Sequence, residues 1–222
     1  MPGGSTANQM VADRPAAIVR VEPVKAKPIY RAAMPQFEPC DYSDIGFNPA
    51  NFYRGLVERE SQINITCSAI RTAVLTDFEI TNSILLHGPS SAGKTSFMTA
   101  TINMIGPRHC FRIDAKTATK AGVINELVAR GSSTKVIAVD EVEKNLPAFS
   151  WLLPVLEEHT LRVINANHDD PIVIPLPILG IFTCNDVEKL RNFESGALYS
   201  RMINKIYCPA ISDESLHTVL KP

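Results

Sequence analysis

The chain has little with which to build a disulfide framework, a zinc site, a membrane span or a global charge field. Its five cysteines, at positions 40, 67, 110, 184 and 208, are odd in number, widely spaced and contain no CxxC pair, which fits reduced buried thiols. No apolar run reaches the roughly 18 residues that a bilayer demands, and the opening residues MPGGSTANQM lack the charged-then-apolar layout of a signal peptide. The expectation is a cytoplasmic protein with no membrane partner. Twenty-two Lys and Arg against 23 Asp and Glu leave a formal charge of −1, so a nucleic acid would have to meet a local patch or a pore, not a bulk basic field. What remains is ordinary globular material: 222 residues, 45% hydrophobic and 20% charged, enough for one large domain, or one domain and an appendage.

Residues 1–49 hold Pro2, Pro15, Pro23, Pro28, Pro35, Pro39 and Pro49 with many alanines and no sustained period, the composition of an extended, flexible arm. Ile29, Tyr30 and Phe37 are its candidate docking residues for a neighbour or partner. A folded core is expected over 50–215, with 216–222 a tail. Near-helical spacing of Ile63, Ile65, Ile70, Val74 and Leu75 precedes a short strand at Ile84 to His87. Further strands are expected at Cys110 to Ile113, Val136 to Val139 and Ile178 to Thr183, each a continuous apolar run, as in a parallel sheet covered on both faces. Helical spacing occupies Thr95 to Ile105, Thr119 to Arg130 and Phe149 to Glu158. Alternating strands and helices predict an α/β fold. Leu161 to Ile164 and Ile172 to Ile174, separated by a polar, turn-rich tract, predict a hairpin inserted before the last core strand.

Gly88-Pro89-Ser90-Ser91-Ala92-Gly93-Lys94-Thr95 fits GxxxxGK[ST], and it follows a strand and opens a helix. A loop of that length turns backbone N–H groups inward around phosphate oxygens, while the helix N-terminus adds partial positive charge. Lys94 is then placed to reach the β and γ phosphates and Thr95 to ligate Mg²⁺. Ser96 completes the loop's first helical turn. Lys135 to Glu141 is an apolar strand ending in two carboxylates; Asp140 is placed to hold the metal's hydration shell and Glu141 to orient and polarise the attacking water.

In that order and at those distances, GPSSAGKT, VIAVDEVEK, IFTCND and ALYSRM resemble the Walker A, Walker B, sensor 1 and arginine-finger motifs of AAA+ ATPases, over roughly residues 50 to 215. Thr119-Lys120-Ala121-Gly122 before a helix, and Leu152 to Glu158 followed by a hairpin, resemble the branch with a pre-sensor 1 β-hairpin. RuvB-like helicases and MoxR-type chaperones belong to it, and the small RuvB-like ATPases are the nearest in likeness. The resemblance implies a P-loop NTPase three-layer αβα fold with a five-stranded parallel sheet, ATP and Mg²⁺ as ligands, and a hexameric homo-oligomeric ring with ATP at its interfaces. It implies Asn185 as sensor 1 and Arg201 as a finger reaching a neighbour's γ-phosphate. Leu56 and Val57, in Arg54 to Glu60, are the implied adenine-pocket residues. The chain ends at Pro222, where relatives continue into a helical lid, so little or no lid is expected.

The substrate of the motor stays open on these residues. DNA through a pore hairpin near Arg162, remodelling of a partner protein, and an ATP-locked scaffold with little turnover are three expectations. Asn165 and Asn167 accompany Arg162 in the first. His159, His168, Asp169 and Asp170 read as a polar hairpin tip and not as metal ligands, because no further Cys or His lies at ligand spacing. Trp151, Leu152, Val155 and Leu156 read as core. No Ser/His/Asp order supports ester or peptide hydrolysis.

Overall fold

The computed structural model describes residues 53, 56, 59–163 and 172–210. All of them fall in the unit Phe37–Pro222. The expected arm and tail, Val57, and the hairpin tip with Asn165, Asn167, His168, Asp169 and Asp170 lie outside the described residues.

Helix α1 spans Glu60–Leu75, and strand β1, Ile84–His87, follows it. After the phosphate-loop candidate come α2 (Lys94–Ile105), β2 (Cys110–Asp114), α3 (Lys120–Arg130) and β3 (Val136–Asp140). Then α4 (Leu152–Glu158) leads into β4 (Thr160–Val163) and β5 (Ile172–Pro175), and the described chain continues through β6 (Leu179–Cys184), α5 (Val187–Asn192), α6 (Ala197–Arg201) and β7 (Asn204–Tyr207). The main sheet has five strands in the order β2-β3-β6-β1-β7, all pairings parallel, as the motif resemblance implies. β4 and β5 form a separate antiparallel pair. No helix among the described residues is long and apolar enough to cross a membrane.

The three layers follow from the period of two in a strand. On β1, Ile84 and Leu86 join one apolar cluster with Ala69, Ile70 and Ala73 of α1 and Phe97, Met98 and Ile102 of α2. Leu85, between them, faces the opposite cluster with Val123 and Leu127 of α3, Leu152 and Val155 of α4, and Leu190 and Leu198 of α5 and α6. β3 divides in the same way, with Val136 and Ala138 on the first side and Ile137 and Val139 on the second. Every residue of β6 is buried. At about 1.5–3 kcal/mol for each fully buried aliphatic side chain, these strands dominate the stability of the sheet.

Local chemistry sets the ends. Thr119 caps α3, its Oγ1 accepting from the Gly122 N–H at 3.2 Å. Asp186 caps α5 by accepting from the Lys189 N–H. The expected helix from Phe149 is shorter than its apolar spacing suggests: Leu146–Phe149 is a 3-10 turn and α4 starts at Leu152. The proline in Asn145-Leu146-Pro147 favours that short turn by fixing φ and removing an N–H. Trp151 is core, as expected, with its indole N–H donating to the Ala148 carbonyl at 2.8 Å. In the hairpin, Arg162 pairs with Val173 and Leu161 with Ile174; Leu161 turns inward and Arg162 outward.

Candidate active site

The carboxyl ends of β1, β3 and β6 converge on one cleft of about 280 Å³, lined by Ser90, Ser91, Ala92, Gly93, Lys94, Thr95, Ser96, Glu141, Thr183 and Asn185. Parallel sheets place ligand sites at these strand ends because the loops there enter helices amino end first. Ser91 at φ 63° and Gly93 at φ 77° both lie in the left-handed region, which rolls the loop around its own N–H groups and delivers it into the first turn of α2. A Cβ on Gly88 (φ 150°) would overlap the Cys208 carbonyl oxygen, so the loop's first glycine is demanded by the close pass of the chain after β7.

Gly88 and Pro89 do not line the cleft themselves. Their carbonyls accept from Lys94 Nζ at 2.9 and 2.6 Å, and Lys94 is buried. Burial pushes its ammonium below the ordinary lysine value, while the nearby Cys208, Glu143, Cys184 and Glu141 pull the other way. A buried ammonium whose hydrogen bonds among the described residues go to neutral carbonyls is a ready partner for phosphate. The cleft is thus a fit for a nucleotide's phosphates.

Asp140 sits at the end of β3 with its Oδ1 accepting from Thr95 Oγ1 at 3.0 Å and from Thr183 Oγ1 at 2.6 Å. Arg112 on β2 donates to its Oδ2 at 3.3 Å. The Thr95 hydroxyl and the Asp140 carboxylate are hard oxygen donors in direct contact, a set that suits Mg²⁺. Glu141 follows in the left-handed region at φ 52°, a conformation that costs a non-glycine residue about 1–2 kcal/mol. The Glu141 N–H donates to Thr183 Oγ1 at 2.8 Å and holds this turn. The turned side chain accepts from Asn185 Nδ2 at 3.0 Å on Oε1 and meets Lys116 Nζ at 2.5 Å on Oε2. Lys116, first, and Asn185 with it hold the Glu141 carboxyl below the usual carboxylate range, against a smaller opposing effect of desolvation.

Of the residues expected from sequence, the structure brings Lys94, Thr95, Asp140, Glu141 and Asn185 together. Leu56, expected at the adenine and not at the phosphates, does not line this cleft; its half-buried side chain packs with the α1 and α2 cluster. Arg201 also lies outside the cleft. Its Nε donates to Glu157 Oε1 of α4 at 2.6 Å and its Nη2 to the same oxygen. Five contributors went unnoticed in sequence: Arg59, Arg112, Lys116, Glu143 and Thr183. Arg59 is buried and donates to the Ala92 carbonyl of the loop at 3.0 Å and to the Pro209 carbonyl at 2.7 Å. Thr183 carried a signal, being the polar residue in an otherwise apolar strand two positions before Asn185. Lys116 and Arg112 carried none, since a charged residue on or after an edge strand is ordinary.

A family model described as ATPase family associated with various cellular activities (AAA) matches residues 84–209, more than half of the chain. Among solved structures, a point mutant of RuvB from Thermotoga maritima is similar at 14% identity and a TM-score of 0.54, covering 72% of this chain and 49% of that one. A second point mutant of Thermotoga maritima RuvB is similar at 15% identity and a TM-score of 0.53 with the same coverage. The chain thus spans about half the length of these RuvB structures, and at such identity the likeness is one of fold. A search of curated proteins finds no match.

Proposed function

The chain belongs to the AAA family of ATPases, and on that premise we propose that it is a Mg²⁺-dependent motor that assembles as a homo-oligomeric ring, hexameric in the manner of its branch, and acts on DNA. The ring is supported by the make-up of the cleft: none of the described residues lining it is an arginine. Phosphoryl transfer gains about 10³ to 10⁵ in rate from an arginine on the developing charge. Arg201, outside its own cleft, is the candidate to supply that charge to a neighbour's.

Within one subunit the roles divide by position. Lys94 exchanges its two carbonyls for the β and γ phosphate oxygens of ATP. Thr95 Oγ1 and the Asp140 carboxylate would hold Mg²⁺, which would supply charge neutralisation to the phosphates. Ser90, Ser91 and Ser96 face the phosphates from the loop and its first helical turn. Glu141 takes a proton from the attacking water at Oε2 once Lys116 has moved aside, and Asn185 Nδ2 keeps the carboxylate aimed. Positioned general bases contribute about 10² to 10⁴ in rate. Leu56 and Val57 are assigned to the adenine end of the site, and the core at 50–215 to one ATPase module.

The observation that carries the DNA assignment is the β4–β5 ribbon, inserted between α4 and β6 and presenting an exposed Arg162. A second assignment, remodelling of a protein partner, is favoured by the same ribbon: Arg162 is paired with Glu158 at 2.8 Å, and Val173 opposite it is 49% exposed. The test is ATP turnover against protein concentration with Mg²⁺, with and without single- and double-stranded DNA. Turnover rising steeply with concentration and again with DNA, and an Arg162→Ala variant that loses only the DNA response, is the expected result. Concentration-dependent turnover that ignores DNA transfers the motor to a protein substrate. Nucleotide-dependent assembly without phosphate release makes it a scaffold.

A further inference from the structure

Glu143 is a buried carboxylate beside the cleft whose charge favours the Lys94 ammonium and whose hydrogen bond has not yet been accounted for. It lies two residues beyond Glu141, in the 3-10 turn Val142–Lys144, and is 5% exposed. Burying a carboxylate is costly unless its oxygens are used. Its Oε1 accepts from the Asn185 backbone N–H at 3.1 Å, while its Oε2 has no hydrogen-bond partner among the described residues. The Cys184 thiol also meets this carboxylate, but an apolar side chain would still pack in such a place at less cost than a buried charge, so the bond to Asn185 calls for a functional account.

The surrounding geometry provides one. β6 ends at Cys184, whose carbonyl still accepts from the Gly88 N–H at 3.3 Å. The next N–H, that of Asn185, lies past the ladder and needs an acceptor. The left-handed conformation of Glu141 swings the turn so that Val142 enters the core while Glu141 and Glu143 both meet Asn185. One carboxylate takes the Asn185 side chain at 3.0 Å and the other takes its backbone at 3.1 Å. Asn185 is thereby held at two points by one turn.

We infer that Glu143 is a positioning residue for ATP hydrolysis: its Oε1 fixes the Asn185 backbone, so that the Asn185 amide holds Glu141 on the attacking water. The inference rests on the assignment of Glu141 and Asn185 above. A displacement of about 1 Å at a reacting group costs up to about 100-fold in rate, and a bond to a charged partner is among the stronger ones available to hold it.

The experiment measures kcat, KM, ATP affinity and thermal unfolding for Glu143→Ala, Glu143→Asp, Glu143→Gln, Asn185→Ala and the Glu143→Ala/Asn185→Ala double variant. Glu143→Ala is expected to lower kcat about 10- to 100-fold with ATP affinity within about twofold of wild type. Glu143→Gln keeps an oxygen that can accept and recovers most of the rate. Glu143→Asp keeps the charge but withdraws the acceptor by one methylene, and it lowers kcat even if the alanine variant fails to fold. The double variant loses no more than Asn185→Ala alone, because one residue acts through the other. Wild-type kcat in Glu143→Asp, additive losses in the double variant, or kcat falling in step with ATP affinity and melting temperature overturns the inference. If Asn185→Ala itself turns over normally, the assignment of Asn185 fails as well; if Asn185→Ala is impaired while Glu143→Asp is not, only the role of Glu143 falls.

Discussion

Gly88→Ala tests how tightly the phosphate loop is tied to the rest of the sheet. A Cβ at this position lies 3.1 Å from the Cys208 carbonyl carbon and overlaps its oxygen, in a backbone at φ 150° that side chains rarely adopt. Strain of that kind costs about 1–3 kcal/mol. Relief of the overlap must push back the chain after β7, and with it the Cys208 N–H bond to the His87 carbonyl at 2.7 Å and the Arg59 bond to the Pro209 carbonyl at 2.7 Å. Each loss adds about 1 kcal/mol or more, for a total of about 3–5 kcal/mol. In a domain of this size about 2–4 °C of melting temperature goes with each kcal/mol, so a fall of about 10 °C is expected. Gly131→Ala is the control: its φ is 59°, but a Cβ there meets nothing within 4 Å, so it carries only the backbone strain and melts measurably above Gly88→Ala. Thermal unfolding of both variants, read with ATP titrations, decides the matter. Equal melting temperatures, or wild-type ATP binding by Gly88→Ala, would refute the steric account of this glycine.

Three further outcomes follow from the site. Lys116 is the leading cause of the low Glu141 pKa, and a base with a lowered pKa stays in its accepting form to lower pH. Lys116→Ala therefore moves the acid limb of the kcat/KM profile, which reports the free enzyme, to higher pH, and an unmoved limb contradicts the role given to that ion pair. Arg201→Ala is expected to abolish turnover, by about 10³-fold or more, while leaving ATP binding intact; coincident loss of binding would contradict a finger that serves the neighbouring subunit. Glu157→Gln removes the partner that holds Arg201 within its own chain; an exposed pair is worth about 0–1 kcal/mol, so turnover is expected to stay level or rise up to about fivefold, and a fall would mean that Glu157 has a catalytic task.

Much of this architecture was legible in the chain because the strands are continuous apolar runs bounded by glycine, proline and polar clusters, and because the phosphate loop must follow a strand and open a helix. β1 matches its expected limits, β2 and β3 run one residue further at the carboxyl end, and β6 is shifted by one residue at each end. β7 was harder, since Asn204-Lys205-Ile206-Tyr207 shows only one buried position and looks in sequence like any short polar segment. The start of α4 was misplaced because Phe149, Trp151 and Leu152 keep an apolar spacing through a 3-10 turn that a helix also satisfies. In the site, residues fixed by local spacing were visible: Lys94, Thr95, Asp140 and Glu141. Those that act through a partner far away in sequence were not. Arg59 meets Pro209 across 150 positions, and Glu143 meets Asn185 across 42. No local pattern encodes such pairs: the second arises when β3 and β6 come to lie side by side, the first when α1 packs against β7.

The central claim is that Glu141 is the base of an ATPase whose binding and turnover are separable. Equilibrium ATP binding and Mg²⁺-dependent phosphate release, measured side by side for wild type and Glu141→Gln, test it most directly. Binding within about threefold of wild type, with turnover down by about 100-fold or more, is the predicted result. Turnover near the wild-type rate in Glu141→Gln would contradict it.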